Sequence, residues 1–169
     1  MYYGTIKPFD IANGPGVRVS LFTSGCRNRC KGCFQPETWD FRYGKEFTDE
    51  TMQEILRLLE DPNIAGLSIL GGDPLEPENI GTVTEICKKV KEMFGDTRDI
   101  WLWTGYDFID YIDHELMSYL DVMVDGRYEV DKRDLTLSYR GSWNQRVIDV
   151  QESNKRGCAI RYKGKEDWK

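Results

Sequence analysis

Apolar and polar residues alternate along 17–22 (VRVSLF), and this period of two over strand-forming residues marks a strand running into Thr23-Ser24-Gly25. Thr48 stands where a helix N-cap belongs, with Asp49 and Glu50 suited to the positive helix end. Met52, Ile55, Leu56 and Leu59 then recur at helical spacing until Asp61-Pro62 stops the helix. The short apolar run 67–70 (LSIL) reads as a buried strand ending at Gly71-Gly72-Asp73-Pro74. Pro77 fits a first helical position, and Ile80, Val83, Cys87, Val90 and Phe94 form one stripe down to Gly95, a natural C-cap. Residues 100–103 (IWLW) make a third strand, closed by Thr104-Gly105-Tyr106. Ile109, Ile112, Leu116 and Leu120 carry a helical period into a strand at 122–124 that stops at Asp125-Gly126, and a last strand is expected at 146–150.

Strands alternating with helices imply an α/β fold with a mostly parallel sheet and right-handed crossovers. In such sheets ligands bind at the carboxyl ends of the strands. The segments that end the presumed strands, the stretch after residue 22, Gly71–Pro74, Thr104–Tyr106 and Asp125-Gly126, should therefore converge. Residues 1–150 form the expected domain. The tail 151–169 is polar and basic, and it is expected to be poorly ordered.

Composition narrows the chemistry. The 169 residues suit one domain, and 23 Lys plus Arg against 29 Asp plus Glu leave a net charge of −6. That balance argues against a nucleic-acid partner recognised by phosphate neutralisation. No apolar run approaches a membrane span, and MYYGTIKPFD has neither a basic nor an apolar leader segment. The expectation is a soluble, cytoplasmic protein with no membrane partner. The single histidine, His114, excludes multi-histidine metal sites, and its acidic surroundings (Asp110, Asp113, Glu115) give it no chemistry.

Cysteine carries the signal. Of five cysteines, Cys26, Cys30 and Cys33 fall in the spacing Cys-x3-Cys-x2-Cys, while Cys87 and Cys158 lie far away. Clustered thiols in an odd number fit metal ligands better than disulfides. Thiolates select zinc, copper(I) or iron–sulfur. A structural zinc site would need a fourth ligand from Cys87, Cys158 or His114, whereas an iron–sulfur cubane on three thiolates leaves one iron open. Arg27, Arg29 and Lys31 interleave the cysteines and are expected to lower their pKa values and offset cluster charge.

The cysteine motif after a first strand resembles the signature of the radical S-adenosylmethionine (SAM) enzymes. With Asn13-Gly14-Pro15-Gly16-Val17-Arg18 before it and Thr38-Trp39 after it, the chain is similar to the glycyl-radical-enzyme activases. Trp103-Thr104-Gly105-Tyr106, Val124-Asp125-Gly126 and Gly141-Ser142-x-Asn144-Gln145 follow in order, as in the branch acting on anaerobic ribonucleotide reductase. The resemblance covers roughly residues 1–150. It implies an open, incomplete (βα) barrel of the radical SAM type. It also implies a [4Fe-4S] cluster on Cys26, Cys30 and Cys33, with SAM against Gly32, Cys33, Phe34, Gly71, Gly72 and Asp73. Reduction by a one-electron donor such as flavodoxin would split SAM into methionine and a 5′-deoxyadenosyl radical. That radical would take a hydrogen atom from a glycine loop of the partner, the anaerobic ribonucleoside-triphosphate reductase. Beyond the cluster and SAM no catalytic residue is implied. Asp125 fits a turn or a site role, and Asn144, Gln145 and Arg146 fit either SAM contact or bracing of the sheet. Two alternatives remain at this level: an activase of a formate-lyase type partner, and a non-catalytic zinc-binding interaction module.

Overall fold

The computed structural model describes residues 1–164. The strands are β1 (Tyr2–Asp10), β2 (Val17–Thr23), β3 (Lys45–Glu46), β4 (Ile64–Gly71), β5 (Asp99–Trp103), β6 (Val122–Asp125) and β7 (Arg146–Asp149). The helices are α1 (Asp49–Leu59), α2 (Pro77–Phe94) and α3 (Val150–Arg156). All strands join one seven-stranded sheet in the order β3-β1-β2-β4-β5-β6-β7.

This architecture corrects the expected open, incomplete (βα) barrel with a mostly parallel sheet. The four central strands pair in parallel, β2 with β4, β4 with β5 and β5 with β6. Three further pairings are antiparallel: β1 with β2, β1 with β3 and β6 with β7. The result is a mixed sheet with two edges. Two features account for the difference. The first strand, whose polar and apolar residues show no clean alternation, turns back on β2 through residues 11–16. The link between β5 and β6 is also not the expected helix. It consists of 3-10 turns at Phe108–Asp110 and Glu115–Ser118, closed by bonds such as Tyr111 N to Phe108 O and Tyr119 N to Leu116 O. His114 interrupts any longer helix, because its Nδ1 accepts from Leu116 N and starts a new turn.

The two long helices form where the pattern places them. Thr48 and Thr51 make a capping box on α1, whose Met52, Ile55, Leu56 and Leu59 are buried. Pro77 opens α2, and Val83, Ile86, Cys87 and Val90 face the core. One face of the sheet (Val19, Leu21, Leu67, Ile69, Ile100, Leu102, Met123) packs into the core built with these helices. The alternate positions, including Arg18, Ser20, Phe22, Ser68 and Trp101, are buried on the opposite face. That second face lies against residues 128–141 and 160–162: Trp103 Nε1 donates to Tyr139 O at 2.6 Å, and Trp101 meets the rings of Tyr139 and Tyr162 at 5.1 and 5.3 Å.

The tail departs from the expected disorder as far as it is described. Helix α3 buries Val150 and Ser153, and Arg161 bridges to Ile148 beside β7. Residues 165–169, the end of that expected tail, lie outside the described residues. Among the described residues no helix is long and apolar enough to cross a membrane.

Candidate iron–sulfur and cofactor site

The carboxyl ends of the four parallel strands meet at one cavity of about 750 Å³. Cys26, Cys30 and Cys33 line it from the loop after β2, Gly71, Gly72 and Asp73 from the end of β4, Thr104 and Gly105 from β5, and Gly126 from β6. Residues 134–141 close one side and Lys7, Ala12 and Asn13 another. This is the convergence expected from the strand-end motifs.

Backbone contact fixes the distance between the first two motifs. Gly72 N donates to Thr23 O at 2.7 Å and Asp73 N to Gly25 O at 2.8 Å. A Cβ on Gly72 would stand 2.6 Å from Gly25 O, so only glycine lets the two chain segments lie this close.

Asp73 is the hub beneath. Its side chain is 1% exposed. Oδ1 accepts from Leu75 N at 3.0 Å and Thr104 Oγ1 at 2.8 Å, and Oδ2 accepts from Gly105 N and Asn28 Nδ2, each at 2.9 Å. Burial pushes its carboxyl up to about 6 against these lowering bonds. The carboxylate thus serves the wall of the cavity first, holding the ends of β4 and β5 and the cysteine loop together.

The basic residues of the cysteine loop do not act as expected at Cys26. Arg27 turns away from the thiols: its NH1 lies 2.5 Å from Glu76 Oε2, its NH2 2.5 Å from Glu78 Oε1, and its guanidinium covers the Phe41 ring at 4.4 Å. Glu76 is fully buried and also accepts from Arg27 N and the Tyr106 hydroxyl. Burial, followed by the Asp73 charge, pushes the Cys26 thiol up to about 11. Ionising that thiol therefore calls for a compensating cation, which a bound metal centre provides.

The donor set fits an iron–sulfur cluster. No group of three His, Cys, Asp or Glu side chains among the described residues is arranged to hold a single metal ion. A cubane makes a different demand, since each thiolate binds a different iron and the three thiols can stand around a cavity wall. Cys26, Cys30 and Cys33 are half-buried around such a space. Of the alternative fourth ligands, Cys87 is buried in α2, Cys158 is exposed beyond α3, and His114 caps its turn; none lines the cavity.

The other expected residues divide. Cys33, Phe34, Gly71, Gly72 and Asp73 line the cavity, whereas Gly32 sits behind it, its missing Cβ 3.0 Å from Val130. Phe34 is 62% exposed, with its ring 5.4 Å from Tyr128 and the Arg133 guanidinium 5.3 Å above it. Arg146 forks onto the buried carboxylate of Asp125, which also accepts from Phe108 N. Gln145 receives Gly141 N at 2.9 Å and donates to Gly126 O at 3.0 Å, and Asn144 donates to Arg127 O. These contacts brace β6, β7 and the covering segment. Asn28, Glu76 and residues 128–141 were not legible as site residues. Their roles come from partners far away in the chain, and no short motif announces them.

Comparison with known proteins supplies the family. A model described as a 4Fe-4S single cluster domain matches residues 12–148. The chain is 44% identical over 147 residues to the anaerobic ribonucleoside-triphosphate reductase-activating protein of Enterobacteria phage T4, covering 87% of this chain and 93% of that protein. Proteins of the same name from Vibrio cholerae and Escherichia coli K12 are 42% and 39% identical. Those matches cover 86% and 87% of this chain, and 96% and 97% of the relatives.

Proposed function

We infer the activity from one premise: the chain belongs to the family of anaerobic ribonucleoside-triphosphate reductase-activating proteins and carries a 4Fe-4S single cluster domain. We propose that it is a radical SAM activase that generates a glycyl radical on anaerobic ribonucleotide reductase. The observation that carries this reading is the single cavity shared by Cys26, Cys30, Cys33 and the Gly71-Gly72 wall. When bound, the cluster would supply the electron for reductive cleavage of SAM, the chemistry from which the glycyl radical on the partner would arise.

The chain's own residues do the holding. Cys26, Cys30 and Cys33 would hold the cluster, and a cluster on three thiolates would keep a position for SAM. Gly71 and Gly72 offer backbone without side chains to the methionine end, and Asp73 sets a negative potential there for the ammonium. Phe34, with the backbone of Cys33, flanks the rest of the cofactor, and Gly32 supports that loop from behind the cavity. The glycine loop of the reductase enters between Ala12-Asn13 and Leu135, which is 80% exposed at the mouth. A one-electron donor such as flavodoxin serves the cluster, and the site of action is the cytoplasm.

The test is anaerobic reconstitution with iron and sulfide, reduction with dithionite, addition of SAM and quantification of 5′-deoxyadenosine. Product in the wild type that disappears in Cys30→Ser supports the reading. Stoichiometric zinc and no product would sink it. Adding the reductase and observing no glycyl radical by EPR, with the cluster intact, would remove the assigned partner.

A further inference from the structure

Asn28 sits in the middle of the cysteine loop, two residues from Cys26 and two from Cys30, and it touches the ends of three strands. Its Nδ2 donates to Asp73 Oδ2 at 2.9 Å, beyond β4. Its backbone oxygen accepts from Arg127 NH2 at 2.5 Å, beyond β6. Its amide lies so close to Gly105, beyond β5, that a Cβ there would stand 2.5 Å from Nδ2. We propose that Asn28 is a positioning residue that locks the cysteine loop in register with the Asp73 wall and so fixes where SAM sits relative to the cluster.

The argument is geometric. Three thiols on one short loop hold a cluster, but the loop could rock as a unit about its ends. Cofactor cleavage depends on the separation between what the loop holds and what the β4 end holds, and small misplacements are costly. Asn28 is the side chain that spans this gap at the loop's midpoint. It is placed to do so because Asp73 has one acceptor position left after Leu75, Thr104 and Gly105 are served. Hydrogen bonds to a charged group hold more firmly than neutral ones. Arg27, bound to Glu76 and Glu78, secures the start of the same loop, so Asn28 controls its middle.

The inference rests on the radical SAM reading, and its test separates the two. Asn28→Ala, Gly105→Ala and the double variant are compared with wild type. In the metal-free proteins, amide exchange across residues 26–33 should be on the order of ten times faster in Asn28→Ala, with the exchange of α1 and α2 unchanged. After reconstitution, iron content and the EPR signal of the reduced cluster without SAM should match wild type. SAM binding by equilibrium dialysis should weaken roughly tenfold, and the SAM-induced change in that EPR signal should diminish.

Gly105→Ala should reproduce the weakening by pushing the Asn28 amide aside. The double variant should bind no worse than Asn28→Ala alone, because the two substitutions remove one contact. Wild-type SAM affinity in Asn28→Ala overturns the proposal, as does a double variant in which the losses add. A wild-type protein that holds its cluster yet binds no SAM overturns the radical SAM reading and this inference with it. Unchanged loop exchange overturns the inference alone.

Discussion

The Arg18 guanidinium, with no exposed surface, reaches from β2 past β4 to Asp99 on β5, with NH1 2.6 Å from Asp99 Oδ1. On the way its Nε donates to Ser68 Oγ at 2.7 Å and its NH2 to Leu67 O at 3.0 Å, and Ser68 in turn donates to Asn13 O. Arg18, Ser68 and Asp99 on the second sheet face are thus joined in one bonded network. Arg18→Met should lower stability by about 3 kcal/mol, because it strands Ser68, Leu67 O and a partly buried carboxylate. Urea unfolding measures this. Asp99→Asn should also cost about 3 kcal/mol, since it leaves the Arg18 guanidinium, which has no exposed surface, without its counter-charge. A negligible cost for either would contradict the network.

Two glycines should answer alanine in opposite directions. At Gly72 the new Cβ would meet the backbone oxygen of Gly25 at 2.6 Å, and backbone cannot step aside cheaply. Gly72→Ala should therefore fail to assemble a cluster at wild-type iron content. Gly81 lies inside α2 with nothing within 4 Å of its missing Cβ. There alanine should raise stability by about 0.5–1 kcal/mol through helix propensity, read as a higher Tm.

Asp73 makes the metal-free protein pH-sensitive in a defined sense. Burial raises its folded-state pKa from 3.8 to about 6, so between those values the native protein binds a proton that the unfolded chain does not. Its carboxylate destabilises the fold at neutral pH, and that cost is relieved as pH falls through 6 towards 4. The stability of wild type relative to Asp73→Asn should improve by about 1 kcal/mol from pH 7.5 to pH 5. Parallel curves for the two proteins across that range would rule out the raised carboxyl.

Iron retention should follow the cavity rather than the cysteine count. Cys158→Ser, at an exposed position away from the cavity, should keep wild-type iron and sulfide after reconstitution. Cys26→Ser, Cys30→Ser and Cys33→Ser should each lose most of both. Metal loss on replacing Cys158 would instead point to a four-ligand site.

The helices and central strands were legible because their signals are local. The Thr48 cap, the Pro77 start and the apolar stripes act within a few residues of one another, and the structure realises each of them. The stripe at Ile109, Ile112, Leu116 and Leu120 shows the limit. Its spacing fits a helix, yet the side chain of His114 competes for the backbone and the segment closes as 3-10 turns. The basic residues between the cysteines show a second limit. Composition says that Arg27 is near a thiol, but only folding brings Glu76 and Glu78 to claim it.

By itself the sequence determined the three-thiol loop, the order of strand-end motifs and the family, because these depend on residue type and short spacing. The tertiary structure decided the rest. Edge strands pair antiparallel and make the sheet mixed, since a strand's partner is chosen by distant backbone rather than by its own residues. The alternation along β2 marks a strand with two faces, yet the strand is buried almost throughout, so only the packed fold reveals that the covering segment 128–141 lies opposite the helices. Asn28 and Asp73 are 45 residues apart, and only chain folding closes the 2.9 Å bond between them.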